Sequence, residues 1–165
     1  MSPLLHRRLL ASAAIDADDA RTLVDAALAL KKTAAASRLR GKNIALLCAD
    51  PDRACARRFD AAATAQGARV ARIEPAAAWL RDEAPIGADT ARLLESLYDA
   101  VDCEELPAGF AQRLQAQLGV PVYDGLARDD HPILGLLSAV AGVGNVPGDA
   151  DRRALMQAVL VSTLL

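Results

Sequence analysis

Short apolar runs alternate with helical patterns along most of the 165-residue chain. Four such runs, bounded by Gly, Pro, Asp or Glu, are predicted to be strands at roughly 43–48, 69–73, 99–103 and 120–123. Helices are predicted between them at roughly 52–66, 88–97 and 107–117. Strands separated by helices of this length pair in parallel through right-handed crossovers. The alternation therefore predicts an α/β fold, a four-stranded parallel sheet with helices on both faces in three layers.

The N-terminal segment is interpreted as the first helix of the fold and not as a secretory signal. Its apolar part, Leu9 to Ile15, is at the short limit for the core of a signal peptide, and acidic residues follow at once. Asp16 lies three residues before Asp19, a weak capping-box pattern that predicts a helix start there. Apolar residues then recur at helical spacing up to Lys32, which predicts one buried stripe.

The C-terminal third has a different pattern. An apolar helix is predicted after the pair His131-Pro132, ending at about Ala141. Residues 143–148 are rich in Gly and predict a turn. A closing helix is predicted at about 149–164, and its apolar positions are spaced to cover one face of the sheet.

Composition excludes several classes of partner. The 19 basic and 21 acidic residues are mixed along the chain and leave a net charge of −2, so no basic stripe indicates nucleic acid or an anionic membrane. No apolar run approaches the roughly 18 residues of a membrane span. Cys48, Cys55 and Cys103 form no C-x-x-C pair and give no metal-binding pattern. The odd cysteine count favours the reducing cytoplasm.

Several separate motifs, in matching order, resemble the aspartate and ornithine carbamoyltransferase family. Five features match the first half of these enzymes in spacing: Gly41-Lys42, the apolar run to Leu47, Pro51, Phe59-Asp60 and Gly67. Residues 83–94 (E-A-P-I-G-A-D-T-A-R-L-L) resemble the family's Gly-Glu-x-x-x-Asp-Thr-Ala-Arg stretch with one insertion. Residues 122–134 (V-Y-D-G-L-A-R-D-D-H-P-I-L) resemble its Asn-Gly-Leu and His-Pro-x-Gln segment. The resemblance is closest to ornithine carbamoyltransferase, and it implies the fold of the carbamoyl-phosphate domain and no cofactor.

The resemblance places the family's phosphate site at the turn after the first strand, where helix N–H groups hold anions. The family has Ser-Thr-Arg-Thr-Arg there, whereas this chain has Asp52, Arg53, Ala54, Cys55 and Ala56. Asp52 is expected to cap the helix and accept the N–H groups that phosphate would need. A carboxylate about 5 Å from a dianion costs roughly 2 kcal/mol in water-like surroundings and about 7 kcal/mol at an effective dielectric constant of 20. That cost is a large part of the binding free energy of a ligand with millimolar to micromolar affinity, about 4 to 8 kcal/mol.

A further arginine of the family's phosphate site corresponds to the acidic stretch 102–105, so the pocket is predicted to be acidic. The candidate ligand-binding residues are Asp52, Arg53, Cys55, His131 and Pro132. In the family, the corresponding histidine donates to the carbamoyl oxygen. His131 is thus either a surviving catalytic candidate or the cap of the helix that begins at Pro132. Cys55 is either a thiol whose pKa the helix dipole lowers or a half-buried core residue.

The segment between Pro75 and Pro85 corresponds to a family loop that reaches into a neighbouring subunit. Trp79 within it is either an interface anchor or a residue that fixes the loop to its own core. Residues 89–92 match the family where they mostly support helix and subunit packing, which argues for fold and assembly.

The resemblance also implies a domain organisation. Residues 1–142 correspond to the carbamoyl-phosphate domain, 143–148 to a linker, and 149–165 to the C-terminal helix of ornithine carbamoyltransferases, which returns to the same domain. The family's second domain, which binds the amino acid, is expected to be absent.

These departures predict a catalytically inactive relative with an oligomeric interaction or regulatory role. The family implies self-association as a trimer, and another carbamoyltransferase-family chain is a further candidate partner. Two alternatives stay open: an enzyme completed by a partner chain, and a binding module for a small non-phosphorylated ligand in the old cleft.

Overall fold

A four-stranded parallel sheet forms the centre of the fold. The computed structural model describes residues 15–33, 37–81 and 85–165. The strands are β1 (Asn43–Cys48), β2 (Arg69–Ile73), β3 (Ala100–Glu104) and β4 (Val122–Tyr123). Their order is β2-β1-β3-β4, and every pairing is parallel. The predicted α/β fold is therefore confirmed. Strand β4 is shorter than predicted because Pro121, which has no N–H to donate, precedes it.

Helices cover both faces of the sheet. In the described ranges they are α1 (Ala17–Lys32), α2 (Ala54–Ala65), α3 (Ala77–Leu80), α4 (Ala88–Leu97), α5 (Phe110–Gln117), a 3-10 helix (Pro132–Leu136), α6 (Leu137–Ala141) and α7 (Asp149–Leu164). Helix α5 begins three residues after Pro107, because Gly109 adopts a φ of 79° that the helix cannot contain.

Two hydrophobic cores lie on opposite sides of the sheet, because successive strand side chains point to opposite faces. Ile44 and Leu46 of β1 belong to the core formed with α1, α2 and α7. Ala45 and Leu47 belong to the core formed with α4 and α5. The predicted three-layer arrangement is thus observed.

Helix α7 is built into the first core. Most of its residues from Ala154 to Leu164 are buried, and it packs on α1 and α2. Nζ of Lys31 lies 2.5 Å from Oδ1 of Asp151, which fixes α7 to α1. Nε2 of Gln157 donates to the carbonyl oxygen of Ala62 at 3.1 Å, which fixes it to α2. The N-terminal turn of α7 consequently lies beside the N-terminal half of α2.

The predicted helical character of Leu9 to Ala14 lies outside the described residues, as does Glu83 of the second family motif. Within the described part of the chain, no helix is both long and apolar enough to cross a membrane.

Candidate functional site

The turn between β1 and α2 corrects one sequence prediction. The N-cap of α2 is Arg53, not Asp52, and no side chain caps this helix among the described residues. The carboxylate that forms a hydrogen bond within this turn is that of Asp50, whose Oδ1 accepts the backbone N–H of Asp52 at 2.9 Å. This hydrogen bond closes a local turn that precedes the first residue of α2 in the sequence. Asp52 is exposed, so the predicted competition between its carboxylate and a phosphate for the helix N–H groups does not occur.

A cleft with a cavity volume of about 740 Å³ opens beside this turn. Its lining combines three arginines, three acidic residues and small or apolar positions: Arg53, Ala54, Cys55, Arg58, Glu105, Leu106, Ala108, Arg128, Asp129 and Asp130. Of the predicted ligand-binding residues, the structure thus brings Arg53 and Cys55 into the cleft. Asp52, His131 and Pro132 do not line it.

Every arginine of the cleft forms an ion pair with a carboxylate of the same cleft. The pairs are Arg53 with Glu105 at 3.2 Å, Arg58 with Asp129 at 3.1 Å, and Arg128 with Asp130 at 2.6 Å. Hydrogen bonds from Arg128 hold the pKa of Asp130 below its usual range. The positive charges are therefore neutralised within the protein, and the cleft has no excess of cations for a dianion.

Two further carboxyl groups are buried at the end of β3. Asp102 and Glu104 are both fully buried and lie on the same face of the strand. Oδ1 of Asp102 accepts the N–H of Leu126 at 3.2 Å, and Oε1 of Glu104 accepts the N–H of Ala127 at 2.8 Å. Burial, followed by the charge of Glu104, raises the pKa of Asp102 well above its usual range. Burial likewise raises the pKa of Glu104. These two carboxyl groups, which the sequence placed in an acidic pocket, are therefore inside the protein, and they hold in place the loop that follows β4.

Cys55 is buried at the first turn of α2, and its neighbours disfavour a thiolate. Burial, with the nearby charges of Glu104 and Glu105, raises its pKa to about 11. The interpretation as a thiol with a lowered pKa is therefore wrong, because desolvation and two carboxylates outweigh the helix dipole. Cys48 and Cys103 are also buried, and none of the three forms a disulfide.

His131 caps the helix that begins at Pro132. Its Nδ1 accepts the N–H of Ile133 at 3.3 Å, and Pro132 is at the first helical position. Only 3% of the residue is exposed, and burial with the charge of Arg128 lowers its pKa to about 4. Because Nδ1 is an acceptor, the neutral ring carries its proton on Nε2. This Nε2 has no hydrogen-bond partner among the described residues. The capping interpretation thus accounts for one ring nitrogen, and the other remains a donor.

The other family-like features lie on the opposite side of the sheet. Trp79 is half-buried and packs against the core formed with α4 and α5, which supports its role in fixing this segment to its own domain. On α4, the side chains of Asp89 and Arg92 are highly exposed, and Nη1 of Arg92 lies 3.6 Å from Oδ1 of Asp89.

Sequence reasoning missed the contact of α7 with Asp129, a residue that lines the cleft. Nη1 of Arg152 lies 2.6 Å from Oδ1 of Asp129, and its Nη2 donates to the carbonyl oxygen of Ala127 at 2.8 Å. The adjacent arginines at 57–58 and at 152–153 were the available signal in the sequence. Their proximity depends on the packing of α7 against α2, which no local pattern encodes.

Comparison with known proteins identifies the family. Residues 7–141 match the family described as "Aspartate/ornithine carbamoyltransferase, carbamoyl-P binding domain". The chain belongs to this family. Among curated relatives of this carbamoyltransferase-family chain, the catabolic ornithine carbamoyltransferase of Burkholderia mallei (strain ATCC 23344) is 35% identical over 137 residues, covering 80% of this chain and 40% of the relative. Ornithine carbamoyltransferase of Actinobacillus pleuropneumoniae serotype 5b (strain L20) is 33% identical over 108 residues, covering 66% and 32%.

Solved structures agree at the level of the fold. Ornithine carbamoyltransferase from Pyrococcus furiosus superposes with a TM-score of 0.60 at 23% identity, covering 76% of this chain and 41% of that protein. Aspartate transcarbamoylase from Trypanosoma cruzi in complex with phosphate gives a TM-score of 0.64 at 20% identity, covering 85% and 45%. The chain spans less than half the length of each of these four relatives.

Proposed function

We propose that this carbamoyltransferase-family chain does not transfer carbamoyl groups by itself and acts through self-association in an interaction or regulatory role. The observation that supports this most strongly is the charge balance of the cleft. Each of its three arginines already has a carboxylate partner at 3.2 Å or less. A phosphate dianion entering the cleft would have to displace those carboxylates and separate their ion pairs.

The missing guanidinium groups support the same proposal. The family's arginines fall on Ala54 and Ala56, whose methyl side chains carry no guanidinium, and Ala56 is fully buried. Glu104 lies in the stretch where the family has a further arginine, and it is fully buried. Carbamoyl transfer needs stabilisation of a developing negative charge on the phosphate, which these residues do not supply.

Turnover provides the test. The purified chain, incubated with carbamoyl phosphate and either ornithine or aspartate, is expected to form no citrulline or carbamoyl aspartate, while a full-length ornithine carbamoyltransferase assayed in parallel forms citrulline. Sustained turnover that is lost in His131→Ala would overturn the proposal. Turnover only after addition of a second family chain would instead support an enzyme completed by a partner.

For self-association we propose the exposed surface of α4, with a trimer as the expected assembly. Leu93 and Leu97 are 57% and 51% exposed and lie four residues apart, on one face of the helix. Large apolar side chains that are exposed together are typical of protein interfaces. We further propose that residues 1–142 and 149–165 form one domain joined by 143–148. The three buried thiols are consistent with a location in the cytoplasm.

A second candidate function is the binding of a small zwitterion in the cleft. Its cavity of about 740 Å³ alternates guanidinium and carboxylate groups, which matches a ligand carrying both charges, such as an amino acid. A thermal-shift screen of amino acids and amines tests this, because a bound ligand raises the melting temperature. Unchanged melting temperatures across the screen would exclude it.

A further inference from the structure

A second cavity, of about 320 Å³, lies between α2 and α7. We name it the α2–α7 groove and define it by its lining residues: Ala54, Arg57, Arg58, Ala61, Asp149, Arg152, Arg153 and Met156. It adjoins the cleft and shares only Ala54 and Arg58 with it. Its volume is in the range of small-molecule sites.

The groove differs from the cleft in its charge. Four arginines line it, against the single carboxylate of Asp149. Asp129 pairs with two of these arginines, Arg58 at 3.1 Å and Arg152 at 2.6 Å. In the described ranges, Arg57 and Arg153 form no ion pair with any carboxylate. Even when Asp129 and Asp149 are both counted, the groove keeps an excess of positive charge.

Arg58 and Arg152 are the two inner arginines of the groove, and the protein holds them in place. The side chain of Arg152 is only 13% exposed, and its contacts with Asp129 and Ala127 fix the guanidinium. The side chain of Arg58 is 30% exposed. The Nε atoms of both arginines are buried without an acceptor among the described residues. A guanidinium has five N–H donors, and the protein uses only part of this capacity here.

The walls of the groove are fixed as well. The hydrogen bond between Gln157 and Ala62 joins α7 to α2 at the far side of the groove. Arg57 and Arg153 are exposed at its edge, one on each helix, where they can approach a ligand from both sides. Ala61 and Met156 add apolar surface, which suits the uncharged part of a small molecule.

We infer that the α2–α7 groove binds a small phosphorylated molecule, whose phosphate oxygens accept hydrogen bonds from Arg57, Arg153 and the two inner arginines. Guanidinium groups match phosphate in geometry and charge, and a cluster of them binds polyphosphates more strongly than monophosphates. The inference does not depend on the proposed function, since neither activity nor self-association enters it.

Inorganic pyrophosphate is the probe for this inference, with inorganic phosphate as the weaker ligand. Isothermal titration calorimetry at low ionic strength is expected to show saturable binding of pyrophosphate that weakens with added salt. The double variant Arg57→Gln, Arg153→Gln is expected to lose about tenfold in affinity. The matched control Arg21→Gln, Arg38→Gln removes the same charge from two exposed positions outside the cleft, the groove and α4, and is expected to keep the affinity of the unsubstituted chain.

The chain offers an independent readout of location, because Met1 and Met156 are its two methionines. With 13C-labelled methionine methyl groups, pyrophosphate is expected to shift the Met156 signal, which the variant Met156→Leu assigns by its loss. Equal loss of affinity in both double variants, loss in the control alone, or the absence of saturable binding would each overturn the inference.

Discussion

At the scale of the single residue, His131 links a helix cap to pH. The pKa of His131 is lowered to about 4, below its usual value, so the unfolded chain takes up this proton first as the pH falls. The free energy of unfolding is therefore expected to decrease as the pH falls from the usual histidine range towards 4. Arg128 favours the neutral ring, and Asp130 opposes it.

Chemical denaturation at pH 7 and pH 5 measures this effect. The expected contribution of His131 is a loss of about 2 kcal/mol between these two pH values. His131→Asn keeps a capping acceptor and cannot take up the proton, so the variant is expected to lack this loss. Parallel pH profiles for the variant and the unsubstituted chain would contradict the prediction.

The carboxyl pair of Asp102 and Glu104 is expected to act in the opposite direction. Burial raises the pKa of both groups, so the folded chain retains protons that the unfolded chain releases. Their contribution to stability is present at low pH and is lost as the pH rises through the raised values.

Glu104→Gln tests the pair, because the amide keeps an oxygen for the N–H of Ala127 and removes the charge. The variant is expected to be more stable than the unsubstituted chain at pH 8, with a smaller difference at pH 5. The prediction would be contradicted if the variant were less stable than the unsubstituted chain at pH 8 and this deficit were smaller at pH 5. That result would show that the charged carboxylate stabilises the loop.

At the scale of the element, α7 completes the first hydrophobic core. Leu155, Val159 and Leu160 are fully buried, and they pack in the core that contains Leu23 of α1 and Phe59 of α2. Complete burial of one leucine side chain contributes about 2 kcal/mol. Several such residues together contribute an amount comparable with the 5–15 kcal/mol that is the typical net free energy of unfolding of a small domain.

Deletion of residues 149–165 is therefore expected to abolish cooperative thermal unfolding, as measured by circular dichroism. Removal of Leu165 alone is the control, because this residue is 57% exposed and follows the end of α7. A sharp thermal transition in the longer deletion would show that the sheet and α1 to α6 fold without α7.

At the scale of the whole molecule, assembly through α4 gives the most direct prediction. The chain has a mass of 17.3 kDa, so a trimer would have a mass of about three times this value in light scattering. Leu93→Asp with Leu97→Asp is expected to reduce the measured mass to that of the monomer, because charged groups are unfavourable in an apolar interface.

The matched control for this experiment lies between α6 and α7. Val143 and Val146 are fully exposed or nearly so, and Val143→Asp with Val146→Asp adds the same charge away from α4. This variant is expected to keep the mass of the unsubstituted chain. A monomer without any substitution, or dissociation in the control alone, would contradict assembly through α4.

Local signals in the sequence were enough to predict most elements of this fold. Strand β1 and helix α4 begin and end where the pattern placed them, and β3 is displaced by one residue. The capping role of His131 was one of two interpretations, because a histidine before a proline indicates a helix start without excluding a second use. The turn at Asp50 was missed, since several acidic residues near a helix start compete for the same N–H groups and only one arrangement forms.

The sequence by itself determined the family, the α/β class and the loss of arginines at positions 54 and 56, because these depend on residue identity and local periodicity. Only the tertiary structure decided the partners of the arginines that are present. Arg58 and Arg152 meet at Asp129 from 71 and 23 residues away along the chain. Electrostatic energy depends on the distance and solvent exposure of charges, and both are set only when α2, α7 and the loop after β4 pack together.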